Sequence, residues 1–220
     1  MDSGSTLLEL LDFQVLDRGT NTPLTGPIDL KIRPGTVHLL KGPNGIGKSS
    51  LIRSLTNETF YKGKMRKASG LTLVSHPQIS APMFALPLRL SDILSWSRGT
   101  SDELSEAALR LIGSLNLNRS WDSCSGGERQ RVLLATLFSK ALFSSKAPTL
   151  LLLDEPMNHL DEGSQVEVIA ILREWLKDRS AQDPARAVVL VTHEEVSGLE
   201  CEVLNLRAAS RLEDPPVSHS

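Results

Sequence analysis

The stretch Gly42-Pro43-Asn44-Gly45-Ile46-Gly47-Lys48-Ser49 has the spacing G-x-x-x-x-G-K-[ST], a loop whose glycines let the backbone bend and approach an anion closely. Its flanks constrain the fold further. Before it, the turn Pro34-Gly35 and the apolar run Val37-His38-Leu39-Leu40 predict a strand over residues 36–40. After it, Leu51, Ile52 and Leu55 have the spacing of a buried helical face over residues 49–55. A strand, a glycine loop and a helix in that order are the unit of an α/β fold with a parallel sheet. The loop's N–H groups and the positive end of the helix suit phosphates, Lys48 reaches the outer phosphates, and Ser49 offers a hydroxyl to Mg2+. Residues 42–49, together with Ser50, are therefore the expected nucleotide contacts.

Leu150-Leu151-Leu152-Leu153 reads as a central strand buried on both faces, so Asp154 emerges at its carboxyl end. Ligands of open α/β sheets lie outside the carboxyl ends of the strands, which brings Asp154 toward the glycine loop. A carboxylate there is the usual second partner of a phosphate-loop magnesium. Glu155, next in sequence, projects differently, so one acid can hold the metal while the other polarises an attacking water.

Downstream, Cys124-Ser125-Gly126-Gly127-Glu128 is followed by Arg129-Gln130-Arg131-Val132. With the preceding motifs it resembles the nucleotide-binding domains of the ATP-binding cassette (ABC) family, whose signature loop is usually Leu-Ser-Gly-Gly-Gln. Other elements resemble family loops in order: Gln78 after Leu71-Thr72-Leu73-Val74 looks like the Gln-loop glutamine, Asn158-His159-Leu160-Asp161 like the D-loop, and His193 like the switch histidine. The likeness covers residues 7–206. It implies a P-loop NTPase with a RecA-like core, an antiparallel β edge region and a helical lobe. ATP and Mg2+ are the implied cofactors, with Ser49, Gln78 and Asp154 at the metal. The implied catalytic set is Glu155 as general base, Gln78 sensing metal and water, His193 on the terminal phosphate, and Lys48. Family cassettes face each other head to tail, so Ser125, Gly126, Gly127 and Glu128 are expected to cover a phosphate held by a second cassette, identical or paralogous.

Three departures from the family pattern bear on this. The signature begins with Cys124 and ends with Glu128 but keeps its serine and both glycines, and a thiol beside a helix start invites oxidation. Near Leu16-Asp17-Arg18, where relatives often place an aromatic residue that stacks on adenine, none occupies the expected position, which leaves Arg18, or Phe13 in a shifted register, as the two alternatives. Residues 140–148 read as a surface loop somewhat longer than in relatives.

At 220 residues the chain suits one α/β domain, and a formal net charge of −2 offers no electrostatic case for nucleic acid. Two cysteines are too few for a disulfide framework and fit a reducing cytosol. No run approaches the roughly 20 apolar residues of a membrane span, and residues 1–5 lack the basic start and apolar core of a signal peptide. A cytoplasmic chain held at the inner face of the membrane by partner subunits is the expectation. The expected organisation is a core over residues 7–80 and 146–206, short strands and turns over 7–40, a helical lobe over 82–145, and a frayed tail over 208–220. Within the lobe, a cap near Ser101 precedes an apolar face of Leu104, Ala108, Leu111, Ile112 and Leu115. Residues 161–176 form another helix, with Val168, Ile169, Leu172, Trp175 and Leu176 buried. His38, His76, His159 and His219 show no metal-ligand spacing. The apolar residues 80–88, with Met83 and Phe84 as anchors, either receive a membrane subunit or pack inside the lobe.

Two functional readings remain. One is the ATPase of a transporter with separate transmembrane permease subunits, with a weak likeness to metal-ion importer cassettes after the Gln loop. The other is a non-transport cassette that transmits conformational change to a membrane or cytosolic partner. Gene neighbourhood would separate them.

Overall fold

A computed structural model describes residues 6–76, 87–95, 104–143, 147–177, 184–193 and 196–209, with the side chains of 139–143 excepted. In chain order the elements are β1 (Leu8–Val15), β2 (Ile28–Ile32), β3 (Val37–Lys41), α1 (Lys48–Leu55), β4 (Tyr61–Lys67) and β5 (Thr72–His76). Then follow α2 (Leu90–Ser95), α3 (Glu106–Ile112), α4 (Gly126–Phe143), β6 (Thr149–Asp154), α5 (Glu162–Lys177), β7 (Arg186–Val191) and β8 (Cys201–Asn205). Five strands form a parallel sheet in the order β5-β6-β7-β3-β8, and three form an antiparallel sheet in the order β2-β1-β4. The fold is thus α/β, with the expected antiparallel region beside it.

Period-two alternation divides the core in two. Leu151 and Leu153 of β6, Val188 and Leu190 of β7, and Val37 and Leu39 of β3 pack with Leu94, Ala108, Leu111, Val132, Phe138, Val168, Leu172 and Trp175 from the helices α2 to α5. Their neighbours Leu150, Leu152, Val189 and Leu40 point the other way, against Leu51, Ile52 and Leu55 of α1 and against Leu8, Leu10, Phe13 and Ile32 of the antiparallel sheet. All six residues of β6 and of β7 are buried, which explains why these strands read as unbroken apolar runs. Each fully buried leucine contributes about 2 kcal/mol of apolar transfer.

The architecture sets the site through strand order. The strands β6, β7 and β3 are adjacent, with Asp154 opposite Val191 in register and Val191 opposite Leu40. Their carboxyl ends carry Asp154-Glu155, Thr192-His193 and the glycine loop, three segments distant in sequence.

Several local expectations change. The antiparallel sheet takes its third strand from β4, after the glycine loop, because β4 pairs with β1 from Tyr61 to Lys67 while β3 joins the parallel sheet. The helix α3 is capped by Ser105, whose hydroxyl accepts from Ala108 N at 3.1 Å, so Leu104 precedes the helix and Leu115 follows it. Both still pack on the same cluster. Residues 140–143 continue α4, so the connection to β6 is shorter than the loop expected from 140–148. Asp161 caps α5 from outside, accepting from Ser164 N at 2.8 Å. Ser101, Gln78, Met83, Phe84 and residues 210–220 lie outside the described residues.

Candidate functional site

The glycine loop turns into α1 at Gly47, whose φ of 102° lies in the left-handed region that favours glycine. A Cβ there would also meet Thr25 Cγ2 at 3.2 Å. The helix has no side-chain cap at this end, which leaves its first amides to the loop's concavity. Lys48 is only 7% exposed, and its ammonium donates to the carbonyls of Gly42 at 2.8 Å and Pro43 at 3.2 Å. The cation is held across the mouth of the loop.

Asp154 is 2% exposed, and its Oδ1 has no hydrogen-bond partner among the described residues. Burial pushes its carboxyl above the usual carboxylate range, against the lowering influence of a hydrogen bond from Ser49. A buried carboxylate with a spare oxygen beside a hydroxyl is a hard-oxygen donor set of the kind Mg2+ takes. Glu155 has φ 50°, and its N–H is tied to Val191 O at 2.8 Å. Its Oε1 lies 3.4 Å from His193 Nε2, and its Oε2 accepts from Asn158 Nδ2 at 2.6 Å. Asn44, Gly45, Gly47, Lys48, Ser49, Ser50, Glu155 and His193 line one open cleft of about 420 Å³.

The residues from Cys124 to Glu128 lie elsewhere, at the start of α4. Ser125 and Glu128 form a reciprocal capping box: Ser125 N donates to Glu128 Oε2 at 2.8 Å, and Glu128 N donates to Ser125 Oγ at 3.2 Å. Glu128 Oε1 is paired with Arg119 Nη1 at 2.5 Å. The Ser125 amide holds the Glu128 carboxyl below its usual range, with help from the Ser125 side chain, Arg119 and Arg131. Gly126 and Gly127 sit directly on the loop after Glu155: a Cβ on Gly127 would meet His159 O at 2.6 Å, and one on Gly126 would meet His159 Cγ at 3.3 Å. Gln130 Nε2 completes the contact by donating to Pro156 O at 2.9 Å.

The ABC transporter family profile matches residues 25–158. A zinc import ATP-binding protein, ZnuC of Paracoccus denitrificans, is 34% identical over 181 residues, covering 81% of this chain and 67% of its own length. A hemin import ATP-binding protein, HmuV of Jannaschia sp., is 34% identical over 71% of this chain and 64% of its own length. The chain belongs to the ABC transporter family. It spans about two thirds of the length of these relatives. A solved structure described as an ABC transporter ATP-binding protein from Pyrococcus furiosus has the same fold, with TM-score 0.67, 22% identity, and coverage of 92% of this chain and 99% of that one.

In ABC terms the structure gathers Lys48, Ser49, Ser50, Glu155 and His193 around one cleft and leaves Ser125, Gly126, Gly127 and Glu128 outside that lining. Gln78 is outside the described residues. Cys124 is 7% exposed with its thiol donating to Ser120 O at 3.3 Å, so it packs as a small apolar side chain, contrary to the expectation of an oxidisable thiol. Phe13 is excluded from base stacking because it is fully buried with its ring stacked on Tyr61 at 4.6 Å. Arg18 is exposed, and its guanidinium donates to Glu58 O. Sequence reasoning missed Arg119 and the contact of Asn158 with Glu155. The S-x-x-E spacing announces the capping box, but nothing local announces its arginine.

Proposed function

We propose that this chain is the ATP-binding and ATP-hydrolysing subunit of an ABC transporter, acting as a dimer of cassettes beneath separate membrane subunits. The observation that carries the reading is the convergence of Lys48, Ser49, Asp154, Glu155 and His193 at the carboxyl ends of three adjacent strands. Lys48 and the amides of residues 45–49 neutralise and orient the phosphates. Ser49 and Asp154 would hold Mg2+, which supplies charge neutralisation between the phosphates. Glu155 takes the proton of the attacking water, and His193, within 3.4 Å of it, contacts the terminal phosphate.

The start of α4 acts on another nucleotide. Ser125 Oγ accepts from Glu128 N, so its hydroxyl proton is free to donate to a phosphate oxygen of a facing cassette. Dimerisation thus completes each site, and residues 82–145 act as the helical lobe that carries this loop. No helix among the described residues is long and apolar enough to cross a membrane, which fits a permease supplied by other chains. The relatives' names, zinc import and hemin import, support import of a metal-containing cargo.

The test is Glu155→Gln. Turnover should fall by about 10³-fold while ATP binding persists, and size-exclusion chromatography with Mg-ATP should show a trapped dimer. Turnover within tenfold of the parent chain would remove Glu155 as the base, and a variant that stays monomeric would remove the facing-cassette arrangement.

A further inference from the structure

Glu155 has two oxygens with different neighbours. Oε1 faces His193 at 3.4 Å, and Oε2 accepts a 2.6 Å bond from Asn158, three residues ahead. A carboxylate can only accept, so the amide must present its NH2 group, and this fixes the orientation of both side chains. Glu155 itself is 16% exposed at its side chain and stands on a backbone of φ 50°, where small rotations would otherwise swing the carboxylate across the cleft mouth.

The loop bearing Asn158 is itself held. Gln130 Nε2 binds Pro156 O at 2.9 Å, Asn158 N donates to Glu155 O at 3.2 Å, and His159, at φ 66°, lies so close to Gly127 that a Cβ there would stand 2.6 Å from its carbonyl. These contacts run from α4 through residues 156–159 to Glu155. They leave Asn158 little freedom except to aim at that carboxylate.

We infer that Asn158 is a positioning residue for hydrolysis: its amide holds Glu155 in the rotamer that faces the phosphate cleft, and the clamp between α4 and residues 156–159 holds Asn158. The inference rests on Glu155 being the base. Its chemistry is orientation alone, since Asn158 carries no titratable proton and need not touch the nucleotide. Losing such an orienting bond costs roughly 10- to 100-fold in turnover.

Steady-state ATPase assays on the intact chain with Asn158→Ala and Asn158→Asp test it. In both, kcat should fall roughly 10- to 100-fold with KM for ATP within about twofold. Asn158→Asp should lose at least as much as Asn158→Ala, because a second carboxylate repels the first. In the Glu155→Gln chain, adding Asn158→Ala should lower the residual rate no further, since the effect runs through Glu155. A kcat unchanged by either substitution, a rise in KM equal to the fall in kcat, or a further loss in the Glu155→Gln chain would each overturn the proposal. If Glu155→Gln itself keeps turnover, the base assignment falls and takes the proposal with it; if Glu155→Gln is dead and Asn158→Ala is not, only the role of Asn158 falls.

Discussion

Under the proposed function the carboxyl edge of the parallel sheet and the start of α4 both meet phosphates, yet they are finished differently. At the sheet edge polar groups are left open: Asp154 Oδ1 is buried with no hydrogen-bond partner among the described residues, the His76 ring is buried at the end of β5, and α1 begins without a side-chain cap. At the start of α4 the side chains are already paired, Ser125 with Glu128 and Glu128 with Arg119. An open buried group raises the free energy of the empty chain and favours whatever fills it. A closed box instead holds a surface in one shape for something that arrives from outside. The difference suits the proposed arrangement, in which one half-site receives its ligand and the other is offered to a neighbour.

The sharpest way to break the first region is Lys48→Ala. It removes the cation and its bonds to Gly42 and Pro43, and nucleotide affinity should fall by about 100-fold or more, read by fluorescence of a labelled ATP analogue. Next comes Gly127→Ala, whose methyl meets backbone at 2.6 Å. It should destabilise the chain by about 1–3 kcal/mol in urea denaturation, with turnover falling as His159 is displaced. An unchanged midpoint would show that α4 and residues 156–159 are not in tight contact.

His76 tests the open edge by pH. Burial pushes its ring down to about 4 from the ordinary 6.5, so between those values the unfolded chain binds a proton that the folded chain does not. Its neutral burial is therefore without penalty above pH 6.5, and stability drops as pH falls from 6.5 towards 4, by about 2 kcal/mol at pH 5. Denaturation curves at pH 7 and pH 5 should show this, and His76→Leu should flatten the dependence. The smallest effect belongs to the closed box. Arg119→Ala should weaken ATP-dependent dimerisation by about two- to fivefold in the Glu128 chain and by less in the Glu128→Gln chain, because only a carboxylate near a phosphate needs a compensating cation. Equal losses in both chains would separate Arg119 from Glu128.

The fold was legible where the pattern is local. The unbroken run from Leu150 to Leu153 identified β6, the loop from Gly42 to Ser49 identified the turn into α1, and the resemblance of Cys124 to Glu128 to the signature loop pointed to the start of α4. Where a role depends on pairing across the chain, sequence fell short. The strand β4 has a charged, glycine-containing sequence, Tyr61-Lys62-Gly63-Lys64-Met65-Arg66-Lys67, that only its partner β1 makes a strand. Phe13 looked free to meet a base until the antiparallel sheet buried it on Tyr61.

By itself, the sequence determined the family, the glycine loop and the identity of the acids, because each depends on residue type at fixed short spacing. Tertiary structure decided how those acids are held. Strand order brings Glu155 to His193 across 38 positions of sequence, and helix packing places His159 on Gly127 and leaves Asn158 aimed at the carboxylate. Such contacts join segments whose separation along the chain carries no periodicity, so only the folded backbone specifies them.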